Sequence, residues 1–291
     1  MQADELASEL LTLWDFGDPA ESERRFRALL ARVEEDAEAA AIVRTQVARA
    51  QGLQRRFDDA HRTLDAVETM PSTRGARVAV RMDLERGRIF RSAGDPEKAR
   101  LHFAAAFERA GEAGEDALAV DAAHMMALVE TDPALHATWN ERALTLAEGS
   151  TDPLARRWRA SLLNNLGWTR HGEGRFEEAL DLFTRALAAR ESMGDAGSIR
   201  VARWCVARAL RSLGRVAEAL AAQQALEAEI AAAGAPADGF VCEEIAECLV
   251  ALGRPGEAKP WFARAHAELA KDPWFVDAEP ARLARLLEAS R

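Results

Sequence analysis

One phrase occurs five times in this chain: Gly or Arg, any residue, then Phe, Val or Pro, two further residues and Ala. It stands at Arg55–Ala60, Gly94–Ala99, Gly174–Ala179, Gly214–Ala219 and Gly253–Ala258. Successive alanines are 39, 80, 40 and 39 residues apart, so a unit of about 40 residues repeats through most of the sequence, one copy being too divergent to show the phrase. A chain of 291 residues would ordinarily form one or two compact domains. A repeat array escapes that expectation, because each unit buries its apolar face on its neighbours and needs no central core.

Each unit reads as two helices. An apolar pattern at helical spacing precedes the phrase, as in Leu163, Leu166 and Gly167, and a second follows it, as in Ala179, Leu180, Phe183, Ala186 and Leu187. The glycine between them suits the left-handed residue that ends a helix, and Pro19, Pro96 and Pro255 fall where a first turn tolerates a missing N–H. The residues carrying this hairpin also carry a family pattern. Leu163, Leu166 and Gly167 followed by Ala179, Phe183 and Ala186 resemble the tetratricopeptide repeat (TPR), and Ala99, Phe103, Ala106 and Ala258, Phe262, Ala265 match its second half. Small residues let the paired helices approach and the Phe fills the space beside them. The chain departs from the pattern in two ways. Phe90, Arg170, Leu210 and Leu249 stand where the family usually has Tyr, and the period exceeds its usual length of about 34. The longer unit resembles the extended repeats of bacterial peptide sensors and of eukaryotic adaptor proteins.

The resemblance implies an all-α, right-handed superhelical solenoid forming a single domain over 1–291. Weaker copies bring the count to about seven TPR-like hairpins, approximately 3–35, 38–70, 76–111, 115–148, 154–192, 197–232 and 238–271. A C-terminal capping helix is expected over 278–290, with Leu283, Leu286 and Leu287 on one face and Arg282 and Arg285 elsewhere.

Composition narrows the function. A formal charge of −10 opposes general binding to nucleic acid or to an anionic membrane surface. No apolar stretch approaches the ~20 residues a membrane span needs, and the N-terminus lacks a basic residue followed by an apolar run. Cys205, Cys242 and Cys248 form no CxxC pair, two of them lie inside apolar helical patterns, and a reduced, cytoplasmic protein is expected. No phosphate-binding loop, HExxH, GxSxG or calcium-loop pattern occurs, and no two of the six histidines stand three or four residues apart, so neither a catalytic residue nor a metal or other cofactor is expected.

The resemblance places the first helices along a concave groove. There Asn164, Trp168 and His171 share one stripe, with Asn165 beside it; Trp204, Arg208 and Arg211 form the equivalent stripe one unit on. Glu243, Glu244 and Glu247 follow, while Asp121 and His124 and then Arg81, Glu85, Arg88 and Arg91 occupy the corresponding faces of earlier units. In the bacterial long-repeat peptide sensors that the chain resembles, groove Asn side chains hold the ligand backbone. In domains that hold a C-terminal carboxylate, Asn and Arg or Lys from successive repeats converge on it, as Asn165 and Arg208 resemble. The candidate binding set is therefore Asn164, Asn165, Trp168, His171, Trp204, Arg208, Arg211, Glu243, Glu247 and His124, serving a protein or peptide segment. A compact small molecule is the second reading and an enzyme with an unrecognised site the third. A structural reading stands beside them: Arg208 and Arg211 pair with Glu243 or Glu247, and the two Trp fill space between units. Sensors of the long-repeat type often carry a separate output domain, which this sequence lacks, so a signal is expected to pass through another protein.

Overall fold

The computed structural model describes residues 3–70 and 75–291, and the first two residues of the N-terminus read above lie outside them. Seventeen helices and no strand occur among the described residues. They group into two compact units, 1–162 and 163–291.

In the first unit, α1 (Ala3–Leu13) and α2 (Pro19–Arg32) are followed by α3 (Ala37–Leu53), α4 (Phe57–Glu68), α5 (Ala76–Ala93), α6 (Pro96–Ala113), α7 (Asp116–Val129), α8 (Pro133–Gly149) and the one-turn α9 (Pro153–Arg156). The boundary falls within α10 (Arg159–Gly172), after Leu162. The second unit continues with α11 (Phe176–Met193), α12 (Ala196–Ser212), α13 (Val216–Ala232), α14 (Gly239–Ala251), α15 (Pro255–Leu269), α16 (Pro273–Ala278) and α17 (Pro280–Ala289). The short helices α9 and α16 are additions to the expected pattern of hairpins plus one cap. Each begins at an Asp-Pro pair whose carboxylate accepts a backbone N–H, from Leu154 at 2.8 Å and from Trp274 at 2.9 Å. The same signal starts α2, α6 and α8. Proline at the first position lacks an N–H that would have no partner there, and the Asp satisfies another orphan donor. No helix among the described residues is long and apolar enough to cross a membrane.

The five alanines of the repeated phrase, Ala60, Ala99, Ala179, Ala219 and Ala258, are all buried. Phe26, Phe103, Phe183 and Phe262 are buried on alternate second helices. At the corresponding position of α13 stands Gln223, fully buried, its amide donating to the Trp204 carbonyl at 3.4 Å. The tightest approach lies between paired helices. A Cβ built on Gly87 would come within 2.4 Å of the Phe103 ring, and one on Gly167 within 2.5 Å of Phe183. The turn glycines serve differently: Gly174, Gly214 and Gly253 adopt φ between 73° and 77° with open space around them. At the matching turn of the second hairpin Arg55 holds φ 61°, a conformation that costs a side-chain-bearing residue about 1–2 kcal/mol. Its guanidinium lies 5.7 Å from the centre of the Phe57 ring.

Gly167→Ala is expected to force the Phe183 ring aside and lower the unfolding free energy by about 1–3 kcal/mol in urea titrations. Stability equal to the parent protein would show that the helices have room to spare.

Candidate functional site

In the second unit, the first helices of successive hairpins and the short α16 carry aromatic side chains that touch, each first-helix ring standing about one turn earlier in its unit than the one before. Trp168 on α10 lies 5.8 Å from Trp204 on α12, Trp204 lies 6.2 Å from Phe240 on α14, and Phe240 lies 5.7 Å from Phe275 on α16. The spacing along the chain is 36, 36 and 35 residues. One end of this ladder is anchored by Phe183, edge-on to Trp168 at 5.1 Å, and the other by buried Phe275. The middle rungs are open: Trp168 and Trp204 are half-buried and Phe240 is 39% exposed. The Trp204 indole donates to the Phe240 carbonyl at 3.2 Å, which fixes its tilt.

A polar row runs beside the ladder. His171 is edge-on to Trp168, and its Nε2 lies 2.9 Å from the Ser212 hydroxyl, which accepts from Arg208 at 2.6 Å. Arg208 and Arg211 both turn to Glu244, Arg211 through two hydrogen bonds of 2.8 and 2.9 Å and Arg208 through an ion pair at 3.2 Å. The cross-helix pairing expected for these arginines is present, but with Glu244 rather than Glu243 or Glu247. Those two acids are engaged by the C-terminal helix instead. Arg282 grips Glu243 at 2.6 Å, and Arg285 spans Glu243 and Glu247. Burial holds the His171 imidazole below its ordinary pKa, reinforced by the Arg208 and Arg211 charges, so the row presents a neutral His at neutral pH.

The two asparagines differ. The Asn164 carbonyl oxygen accepts from the Cys205 thiol at 3.5 Å. The half-buried Asn165 amide has no hydrogen bond among the described residues. Burial pushes Cys205 up to about 12 and Cys242 and Cys248 up to about 11, leaving three inert thiols. Among the described residues no three His, Cys, Asp or Glu side chains converge as metal ligands would.

His124, the remaining candidate, lies in the first unit. There it shares a cleft of about 280 Å³ with Arg49 of α3, Arg88 and Arg91 of α5, Asp121 of α7 and Trp158. Its ring stands 5.2 Å from the Trp158 ring. Arg88 is engaged at both ends, by Glu85 at 2.6 Å and by both Asp121 oxygens at 2.6 Å. Burial alone would raise the Asp121 pKa, but the Arg88 and Arg49 charges and the Arg88 hydrogen bonds outweigh it and the net shift is downward. Burial is the first cause holding His124 down, the Asp121 charge opposing it.

Phe240, Phe275, Ser212 and Arg49 were not singled out in the sequence. The 36-residue step from Trp168 to Trp204 points to Phe240 when extended once more. Nothing in the sequence distinguishes Arg49 from its neighbours.

Two family models, each described as tetratricopeptide repeat, match residues 47–115 and 162–197. No curated protein matches the sequence. Solved structures share the fold. The apo form of RapI has a TM-score of 0.72 at 9% identity over 93% of this chain and 76% of that one. The apo quorum sensor NprR from B. thuringiensis has a TM-score of 0.63 at 17% identity over 98% and 78%. NprR in complex with its cognate peptide NprX has 0.54 at 17% over 98% and 81%.

Asp121→Asn is expected to leave Arg88 with Glu85 alone and to lower unfolding free energy by about 3 kcal/mol at pH 7. The folded-state pKa of Asp121 lies below its unfolded value of about 4. Its contribution is therefore present above pH ~4 and lost as pH falls through the folded-state value. In urea titrations of parent and variant from pH 7 to pH 2.5 the gap should narrow toward the acid end. A constant gap across that range would assign the loss to something other than this carboxylate.

Proposed function

We propose that this chain, a tetratricopeptide-repeat protein, is a cytoplasmic adaptor or regulator without chemistry of its own. In this reading it binds an extended peptide or protein segment along the first helices α10, α12 and α14. The observation that carries the reading is the aromatic ladder, whose open rungs stand 5.8 and 6.2 Å apart. An extended peptide advances ~3.3 Å per residue, so side chains on one of its faces recur at about 6.6 Å. Alternate apolar side chains of such a ligand match successive rungs.

The polar row supplies what the ligand backbone needs. The Asn165 amide offers both donor and acceptor, as unpaired peptide groups require. Two guanidiniums share the single Glu244 carboxylate, which leaves the row with a positive excess suited to an acidic side chain or a chain terminus. Glu243, buried under Arg282 and Arg285, and the partly buried Glu247 beside Arg285 are assigned to holding the last helix rather than the ligand. That NprR is solved with a cognate peptide supports a peptide as the ligand class.

The test is selection from a random peptide library displayed on phage. Peptides with apolar residues at alternate positions are expected to enrich on the parent protein, and the Trp204→Leu/Phe240→Ala double variant should bind them about 30-fold or more weakly. Trp168 is a poorer probe, because its contacts with Phe183 and Trp204 make its loss a packing defect as well. Enrichment without a two-residue period, or full affinity in a folded double variant, would contradict the ladder as the binding surface.

A further inference from the structure

The cleft between α3, α5 and α7 lies in the first unit, outside the face assigned to the peptide. Three guanidiniums, Arg49, Arg88 and Arg91, and one carboxylate, Asp121, line it. Asp121 and the neighbouring Glu85 are both committed to Arg88. Arg49 and Arg91 are left without an ion pair or hydrogen bond among the described residues. Arg49 is half-buried, and the contacts it has are with the rings of Trp14 and Phe16, at 5.2 and 5.7 Å. Burial, with the Arg88 charge behind it, pulls its pKa down, and the through-space pull of Glu85 and Asp121 does not restore it. His124 is neutral at ordinary pH and adds no charge to the count.

A desolvated cation without a counter-ion is costly, and a chain carrying ten more acids than bases has carboxylates to place beside it. The two that are placed there, Asp121 and Glu85, bond to Arg88 and reach Arg49 only through space. Apart from His124 and Ser92 the rest of the wall is apolar, formed chiefly by Trp158, Met125, Leu128 and Ile89. We infer that this cleft binds a carboxylate carried on an apolar body, the carboxylate held by Arg49 and Arg91 and the body seated against Trp158. Asp121 in the same wall disfavours a multiply charged anion, and a volume of about 280 Å³ suits a group the size of an aromatic acid. The carboxylate arrives either as a free acid or as an acidic residue of a peptide, and both sources offer the same chemistry to the two arginines.

Calorimetric titration of the whole protein distinguishes these cases. The probes are 4-phenylbutyrate, its amide, inorganic phosphate, and a blocked leucine–glutamate–leucine tripeptide with its glutamine counterpart. At least one carboxylate probe is expected to saturate in the millimolar range, with its amide counterpart about tenfold weaker or more. Tighter binding of the acid than of the tripeptide indicates a free acid, and the reverse indicates a peptide residue. Arg49→Gln should weaken the bound probe about tenfold. Because Arg49 also supports Trp14 and Phe16, Arg91→Gln is the second variant. Arg91 is exposed, so the fold is expected to keep its melting temperature while affinity falls severalfold. The inference is overturned if acid and amide bind alike, if phosphate outcompetes both carboxylates, if neither carboxylate binds at ~10 mM, or if Arg91→Gln retains full affinity.

Discussion

A phenylalanine ring resting directly on the backbone of a glycine is the contact on which two hairpins, α5–α6 and α10–α11, depend. Phe103 sits on Gly87 and Phe183 on Gly167, closer than any side chain at those glycines would permit. The close approach lets the second helix of a hairpin bury its ring without surrounding apolar bulk from the first. The first helix is then free to use its opposite face for other side chains. On α10 the consequence is direct, because Phe183, clamped by Gly167, also supports Trp168 and so sets the first rung of the ladder that continues through Trp204 to Phe240.

What the free faces carry is governed by charge balance. In the second unit the last helix closes the array with cations, Arg282 and Arg285, laid over buried Glu243 and partly buried Glu247. Arg208 and Arg211 share Glu244, with Ser212 and His171 completing the row. Such partly buried pairs fix orientation more than they stabilise, since desolvation offsets much of the attraction. In the first unit the balance does not close: Arg88 consumes both Glu85 and Asp121, and Arg49 remains half-buried above two rings. Within each unit, polar groups left open on a first-helix face are the ones a ligand would complete.

Much of this was legible in the sequence because the repeated phrase reports local physics. Its glycine marks a left-handed turn and its alanine a close helix crossing, and both requirements act within a few residues. Asp-Pro pairs announced helix starts for the same reason, although the two shortest helices they begin, α9 and α16, fell below any periodicity a sequence shows. Helical spacing gave the stripe within each helix, Trp168 on α10 and Trp204, Arg208 and Arg211 on α12, while their shared face was what the family resemblance implied. Partner choice did not. Glu243, Glu244 and Glu247 lie on one helix within five residues, and which of them meets Arg211 depends on the rotation of α14 against α12, a property of packing rather than of either segment. Arg49 was invisible for a related reason: its significance is that the carboxylates near it, Asp121 and Glu85, pair with Arg88 instead. Phe240 could have been found, since it continues a 36-residue step set by the two tryptophans.

The central claim is that the first helices of the second unit present the binding face. Amide hydrogen exchange, measured with and without a peptide selected on the protein, tests it most directly. The account predicts slowed exchange in α12, α14 and the part of α10 from Leu163 onward, with α11, α13 and α15 unchanged. Protection confined to those second helices, or to the loops between hairpins, would contradict it.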